Sequence, residues 1–220
     1  APAWSPDGRY LACLRSRREG RDPLFYIRSV ESKEVRELVP KLKEFNIHSL
    51  HWSPDGRALV GAGRSEEGAW GSLQVDVQTG AVTTLVRGQA YHPFLAQDAN
   101  ALFYRRNSPS RLMRRDLQTG VEQELYRTSE STGWTLSPDG GQLAFAVGGA
   151  VKLLPVTGGE PRELVKVEGS ISTLAWTPDG RHLLFGRSSD KGATDVCRVP
   201  VTGGEPQKLE LAMPALQHLR

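Results

Sequence analysis

A four-residue turn signature recurs along this chain at nearly fixed intervals, and the period limits the possible folds more than any other feature. Ser5-Pro6-Asp7-Gly8, Ser53-Pro54-Asp55-Gly56, Ser137-Pro138-Asp139-Gly140 and Thr177-Pro178-Asp179-Gly180 are clear copies, and Gln97-Asp98-Ala99-Asn100 is a worn one. The aspartates at 7, 55, 98, 139 and 179 lie 48, 43, 41 and 40 residues apart. One four-stranded propeller blade occupies roughly 40–45 residues.

The chemistry of the signature explains why it would separate strands. Proline presets φ, aspartate bonds main chain two residues on, and glycine enters the left-handed region that a side chain resists. Apolar strand formers flank it: Leu50 and Trp52 before and Ala58, Leu59 and Val60 after, then Leu174 and Trp176 before and Leu183, Leu184 and Phe185 after. Each copy reads as a hairpin turn between two strands. A second hairpin follows in units two to five, at Gln78-Thr79-Gly80, Gln118-Thr119-Gly120, Thr157-Gly158-Gly159 and Thr202-Gly203-Gly204. No stretch has a helical period. The expected fold class is therefore all-β: a β-propeller of four-stranded antiparallel blades, with repeats at about 4–51, 52–94, 95–135, 136–175 and 176–220 in one domain spanning 1–220. The innermost strand of the second blade is expected as one piece from Phe45 to Trp52, and a polar loop from Arg64 to Gly71 is expected between that blade's second and third strands. Residues 215–220 look like a further innermost strand, which fits either a closed five-bladed ring or part of a ring with six or more blades.

The recurring Trp-Ser-Pro-Asp-Gly-Arg, followed by a short apolar strand and later by a third strand that ends near a Thr-Gly pair, resembles the WD-repeat-like units of TolB-type bacterial propellers. Similar units occur in the propeller domains of prolyl oligopeptidase and tricorn peptidases and in bacterial sensor proteins. The resemblance covers essentially the whole chain and implies the fold. For function it implies a protein- or peptide-binding scaffold, a sensor or adaptor module of a larger bacterial protein, with a periplasmic or extracytoplasmic setting. The alternative it implies is the substrate-gating propeller domain of a serine peptidase. Ala99 departs from the pattern, standing where the other turns have glycine.

A search for chemistry returns little. There is no Gly-x-Ser-x-Gly elbow, phosphate-binding glycine loop, His-Glu-x-x-His or calcium loop. Ser188-Ser189-Asp190-Lys191 matches Ser-x-x-Lys without the motifs that support it. Asp7, Asp55, Asp139 and Asp179, with Gly8, Gly56, Gly140 and Gly180, have turn-forming work to do, so they are expected to be structural. The expectation is no catalytic residue, no metal, no cofactor and no enzyme. His48, His51, His92 and His218 map to innermost strands, but alternation sends them to opposite faces, against a metal site. Cys13 and Cys197 lack metal-ligand spacing; buried free thiols are favoured, with a bridge left open. No run approaches the roughly 18 apolar residues of a membrane helix and no leader opens the chain.

Trp4, Trp52 and Trp176 share one repeat position and are expected to pack between blades. Trp70 falls off that register, either as an exposed contact residue or folded down on its blade. Charge gives the best functional clue once it is assigned to faces. Residues assigned to the loops between second and third strands and to the connections between blades number fifteen basic against eight acidic, a net +7 on a chain of net +3. Arg17, Arg18, Arg21, Arg64, Trp70, Arg106 and Arg187 are expected to converge there as a surface for an acidic protein or peptide. Nucleic acid is not an expected partner, because the arginines lack interleaved aromatic residues.

Overall fold

The structure, a computed structural model, describes residues 2–15, 23–46, 48–130, 133–188 and 194–210. Among them every regular element is a strand. Blade 1 is the antiparallel meander β1 (Pro2–Trp4), β2 (Tyr10–Arg15), β3 (Leu24–Ser29) and β4 (Val35–Leu38). Blade 2 comprises β5 (Leu42–Phe45), β6 (His51–Trp52), β7 (Ala58–Ser65), β8 (Trp70–Asp76) and β9 (Val82–Arg87). Blade 3 runs β10 (Tyr91–Leu95), β11 (Ala101–Arg106), β12 (Ser110–Asp116) and β13 (Glu122–Thr128). Blade 4 is β14 (Trp134–Leu136), β15 (Gln142–Val147), β16 (Ala150–Pro155) and β17 (Arg162–Lys166). Blade 5 is β18 (Ser170–Trp176), β19 (His182–Ser188), β20 (Thr194–Pro200) and β21 (Gln207–Lys208). The chain divides into two compact units, blades 1 to 3 up to Ser129 and blades 4 and 5 from Glu130.

Strand alternation builds the core between blades. On β7, Leu59 packs into a cluster with Phe25, Ile27 and Leu38 of blade 1, while its neighbour Val60 packs the opposite way with Leu102, Tyr104 and Met113 of blade 3. Period two on a doubly covered sheet requires this. Phe25 and Phe45 meet edge to face at 5.0 Å. In the second unit Ala144, Val151, Leu153 and Leu164 of blade 4 pack on Leu183, Phe185, Cys197 and Val199 of blade 5. Each fully buried Leu or Phe of this kind contributes about 1.5–3 kcal/mol.

The signature turns share one hydrogen-bond pattern. In blade 2, Ser53 Oγ donates to Asp55 Oδ1 at 2.6 Å and accepts from Ala58 N at 2.9 Å, while Arg57 N donates to Asp55 Oδ1 at 3.0 Å. The same set recurs at Ser5/Asp7, Ser137/Asp139 and Thr177/Asp179. Gly8, Gly56, Gly140 and Gly180 all have φ near +70°, from 67° to 72°. The worn copy makes the same turn without the hydroxyl: Asn100 N donates to Asp98 Oδ1 at 3.0 Å, and Ala99 takes φ 55°.

Two expectations are corrected. The innermost strand of blade 2 is split, β5 and β6 pairing separately with β7, because the 48-residue first interval carries extra chain that leaves the ladder after Phe45. Gly61 makes this possible: a Cβ there would run into the Phe45 ring and lie 2.8 Å from the Ser49 carbonyl. The second correction concerns Trp4. Trp52 and Trp176 pack into the inter-blade clusters, and Trp52 Nε1 donates to Ala3 O at 2.9 Å, so this tryptophan leans on the preceding blade. Trp4 stands on the blade that opens its unit and is 61% exposed. Cys13 and Cys197 are free, the former half-buried and the latter buried.

Candidate functional site

Arg64 and Trp70 are not loop residues. β7 runs on to Ser65 and β8 begins at Trp70, so the two are cross-strand partners and the connection shrinks to Glu66–Ala69. Gly68, at φ 88°, lets this turn close, with Gly68 N donating to Ser65 O at 2.9 Å. The Arg64 guanidinium lies 5.7 Å from the Trp70 ring centre, donates to Gly68 O at 3.0 Å and sits 3.6 Å from a Glu44 carboxylate oxygen. Trp70 is half-buried and its ring meets Tyr91 of blade 3 at 5.8 Å. The result is a graded cluster, an exposed cation beside an indole whose ring tilts against a phenol.

The other two described arginines of the expected surface are engaged within their own blades. Arg106 Nη2 bonds Glu122 Oε2 at 2.8 Å, and Glu122 Oε1 accepts from Tyr104 OH at 2.6 Å and Arg115 Nη1 at 3.2 Å. Burial works to raise the Glu122 carboxyl, yet Tyr104, Arg106 and Arg115 together hold it below its ordinary value. Burial, and then the Glu122 carboxylate, push the Tyr104 hydroxyl up. Arg187 Nη2 bonds Asp195 Oδ2 at 3.1 Å, and Lys208 Nζ bonds Oδ1 of the same carboxylate at 2.7 Å. These carboxylates stand on strands, so counting by loops left them out. Arg64 and Trp70 are thus brought together, Arg106 and Arg187 are locally compensated, and Arg17, Arg18 and Arg21 lie outside the described residues. So do Ser189, Asp190, Lys191, His218 and residues 211–220.

The described histidines of the innermost strands gather in the first unit. His51 stacks on Phe94 at 3.9 Å between ring centres, and burial followed by the charge of His92 pushes its pKa down to about 4. His92, at φ 49°, is lowered by burial, then by Arg105 and His48. Among the described residues no group of three or more His, Cys, Asp or Glu side chains is placed to hold a metal ion. Nor is any described helix long and apolar enough to cross a membrane. Tyr91, Arg105 and Glu122 were missed in the sequence; position 91, which opens the strand after Gly88-Gln89-Ala90, was the one available signal for the first.

The blades match solved structures closely enough to define the fold. A TolB from Acinetobacter baumannii superposes with a TM-score of 0.72 at 19% identity, covering 92% of this chain and 52% of that one. The fold is a TolB-like β-propeller. A puromycin-hydrolyzing peptidase of Mycobacterium tuberculosis superposes with the same TM-score of 0.72 at 18% identity, covering 99% of this chain and 38% of that one. In sequence the chain is 29% identical over 186 residues to the uncharacterized peptidase YuxL of Bacillus subtilis (strain 168), a match to 84% of this chain that spans 21% of YuxL. No family model matches the chain. The expectation that no enzyme is involved is overturned by these similarities. The two peptidases are much longer than the matched region, so the absence of catalytic motifs from these repeats does not decide whether an enzyme is involved.

Proposed function

We propose that this TolB-like chain serves as the peptide-handling propeller of a peptidase, with the hydrolytic residues held elsewhere in the protein. The observation that carries the proposal is the similarity to YuxL along 84% of the chain. The proposal takes the five repeats as one propeller domain and assigns them the binding and admission of peptide segments, not bond cleavage. The stack of Arg64, Trp70 and Tyr91 is the contact strip it assigns, with acidic or aromatic-containing segments as partners. A fluorophosphonate probe, which reacts covalently with activated serines, tests the reading. Protein captured from its native source with an antibody to this chain is expected to label on the same polypeptide. No labelling, with a serine hydrolase control labelled in the same lysate, would overturn the peptidase assignment.

A further inference from the structure

We propose that β9, the outermost strand of blade 2, is an edge onto which an extended peptide segment adds as one more strand. The inference deepens the peptide reading and rests on it only for the source of the peptide. Its first support is composition. β4, β13, β17 and β21, the outermost strands of the other blades, each have a charged residue at the first or second position. β9 reads Val-Thr-Thr-Leu-Val before its closing Arg87, a run of strand formers without a charge. Charges on an edge strand deter pairing with another chain, so β9 lacks the guard its counterparts have.

The phase of the hydrogen bonds leaves this edge open. β9 ends its sheet, with β8 as its neighbour. Asp76 N donates to Ala81 O at 2.9 Å and Gly88 N to Trp70 O at 2.8 Å, which fixes which residues turn their main chain toward β8. Bonded and non-bonded pairs alternate along an antiparallel ladder. Val82 opposite Val75, Thr84 opposite Leu73 and Arg87 opposite Gly71 are therefore non-bonded pairs, and their N–H and C=O groups point away from β8. Val82 and Thr84 together offer two donors and two acceptors to an incoming chain. The register shift opposite Ser72 and Leu73 packs both Leu85 and Val86 toward blade 3 and returns Arg87 to the side of Val82 and Thr84.

A groove runs along that same side. It has a volume of about 520 Å³ and is lined by Val39, Lys41, Glu67, Val82, Thr84 and Arg87. The hairpin at 79–81 forms one end and the turn at 65–67 the other, where Glu67 meets Arg87 at 3.4 Å. Bounded at both ends and flanked by the segment 39–41, it fits one extended chain better than the flat edge of a second folded sheet. A strand laid there bonds the open groups of Val82 and Thr84 and sets alternate side chains against Val39, Val82 and Thr84. β-branched side chains suit those positions. Lys41 and Arg87 balance Glu66 and Glu67 around the groove, so recognition is by main chain and not by net charge.

The test uses the 220-residue chain and a fluorescein-labelled peptide amide, Lys-Thr-Val-Thr-Val-Thr-Glu, followed by fluorescence anisotropy. An analogue with ester links in place of the central amides keeps the side chains and loses the donors. It is expected to bind roughly tenfold more weakly. Equal binding of the two would overturn recognition through the main chain. Hydrogen exchange read by NMR locates the peptide: the Val82 and Thr84 amides are expected to slow on binding, while Thr83, paired with Gln74, is slow from the start. Unchanged exchange at 82 and 84 under saturating peptide would also overturn the proposal. Thr84→Pro removes an open donor at a place where an edge strand accepts proline, and Thr84→Lys supplies the charge found on the other outermost strands. Each should weaken binding roughly tenfold with the thermal midpoint near wild type. Wild-type binding by both would sink the edge site. A concentration-dependent dimer that Thr84→Pro abolishes, with no peptide bound, would assign the edge to a second copy and overturn the peptide as occupant. Peptide binding at β9 without fluorophosphonate labelling would leave the edge site standing and sink the peptidase reading, and the converse would sink the edge site alone.

Discussion

The guanidinium of Arg36 in blade 1 donates to the main-chain carbonyl of Val77 in blade 2. Arg162 repeats the act from blade 4, donating to the Val201 carbonyl of blade 5 at 2.7 Å. Arg36 and Arg162 stand at one repeat position, opposite Ile27 and Leu153 on the third strand, and Val77 and Val201 share another, directly after that strand. Each clasp fastens an outermost strand, the least buried element of its blade, to the next blade. Arg36→Ala should cost about 1 kcal/mol in a denaturant melt, the usual net worth of such a bond. Blades 2 and 3 carry Thr83 and Gln123 at this position, and alanine there should change little. Equal losses at 36 and 83 would show that the clasp contributes nothing specific.

At the signature turns the cost of substitution should be conformational and not steric. A Cβ on Gly56 would approach Pro6 Cδ at 3.8 Å and one on Gly180 would approach Pro138 Cδ at 3.9 Å, both ordinary contacts. The left-handed φ alone is then responsible, and Gly56→Ala, Gly140→Ala and Gly180→Ala should each cost about 1 kcal/mol. Ala99, already strained at φ 55°, gives the converse: Ala99→Gly should be neutral or stabilising. Urea melts of the four variants decide it, and a destabilised Ala99→Gly contradicts the argument.

Stability should fall with acid in two separable windows. His51 has a folded pKa of about 4 against the ordinary 6.5, so the unfolded chain takes up the proton first and stability declines as pH drops from 6.5 toward 4. The turn aspartates follow. The Ser53 hydroxyl and then the Arg57 main-chain N–H hold Asp55 below 3.8, and the Ser137 hydroxyl and Gly141 N–H do the same to Asp139. Their contribution is intact above 3.8 and is lost as pH falls from there through the lowered folded values. His51→Gln should shrink the first window, leaving the part that the lowered His92 supplies, and the pair Asp55→Asn, Asp139→Asn should shrink the second. Denaturant midpoints across pH would show a single unaltered slope if neither assignment holds.

The turns were legible in the sequence because their chemistry is local: hydroxyl, carboxylate and glycine act within six residues. The split inner strand of blade 2 announced itself only as an interval of 48 where the others were 40 to 43. The partners of Arg106 and Arg187 were hidden for a different reason. Which carboxylate meets Arg106 depends on a path across β11, β12 and β13 with a register shift at Leu112/Met113, and no local pattern encodes it. Arg64 and Trp70 were placed in a polar loop running to Gly71, whereas Gly68 makes the turn and Gly71 lies inside β8. A Cβ on Gly71 would run into the Val86 carbonyl, so this glycine serves close strand pairing.

Arg64 and Arg187 should respond differently to charge reversal, although the sequence treats them alike. The Arg64 side chain is 45% exposed and its acidic neighbour Glu44 is 56% exposed, so a glutamate at 64 meets only screened repulsion. Arg187 shares Asp195, 21% exposed, with Lys208, and a glutamate there sets two carboxylates on directly paired positions of β19 and β20. Arg64→Glu is therefore expected to slow association with a fluorescein-labelled glutamate-rich peptide while leaving the melting temperature near wild type. Arg187→Glu is expected to lower the melting temperature first. The wild-type advantage over Arg64→Glu should shrink as salt rises past the range where the Debye length is about 8 Å, because attraction from a single exposed cation acts mainly on encounter. Stopped-flow association rates across ionic strength, read beside thermal melts, check both halves. If Arg64→Glu leaves the association rate unchanged at low salt, the stack over Trp70 is a packing device and the acidic partner must be received elsewhere.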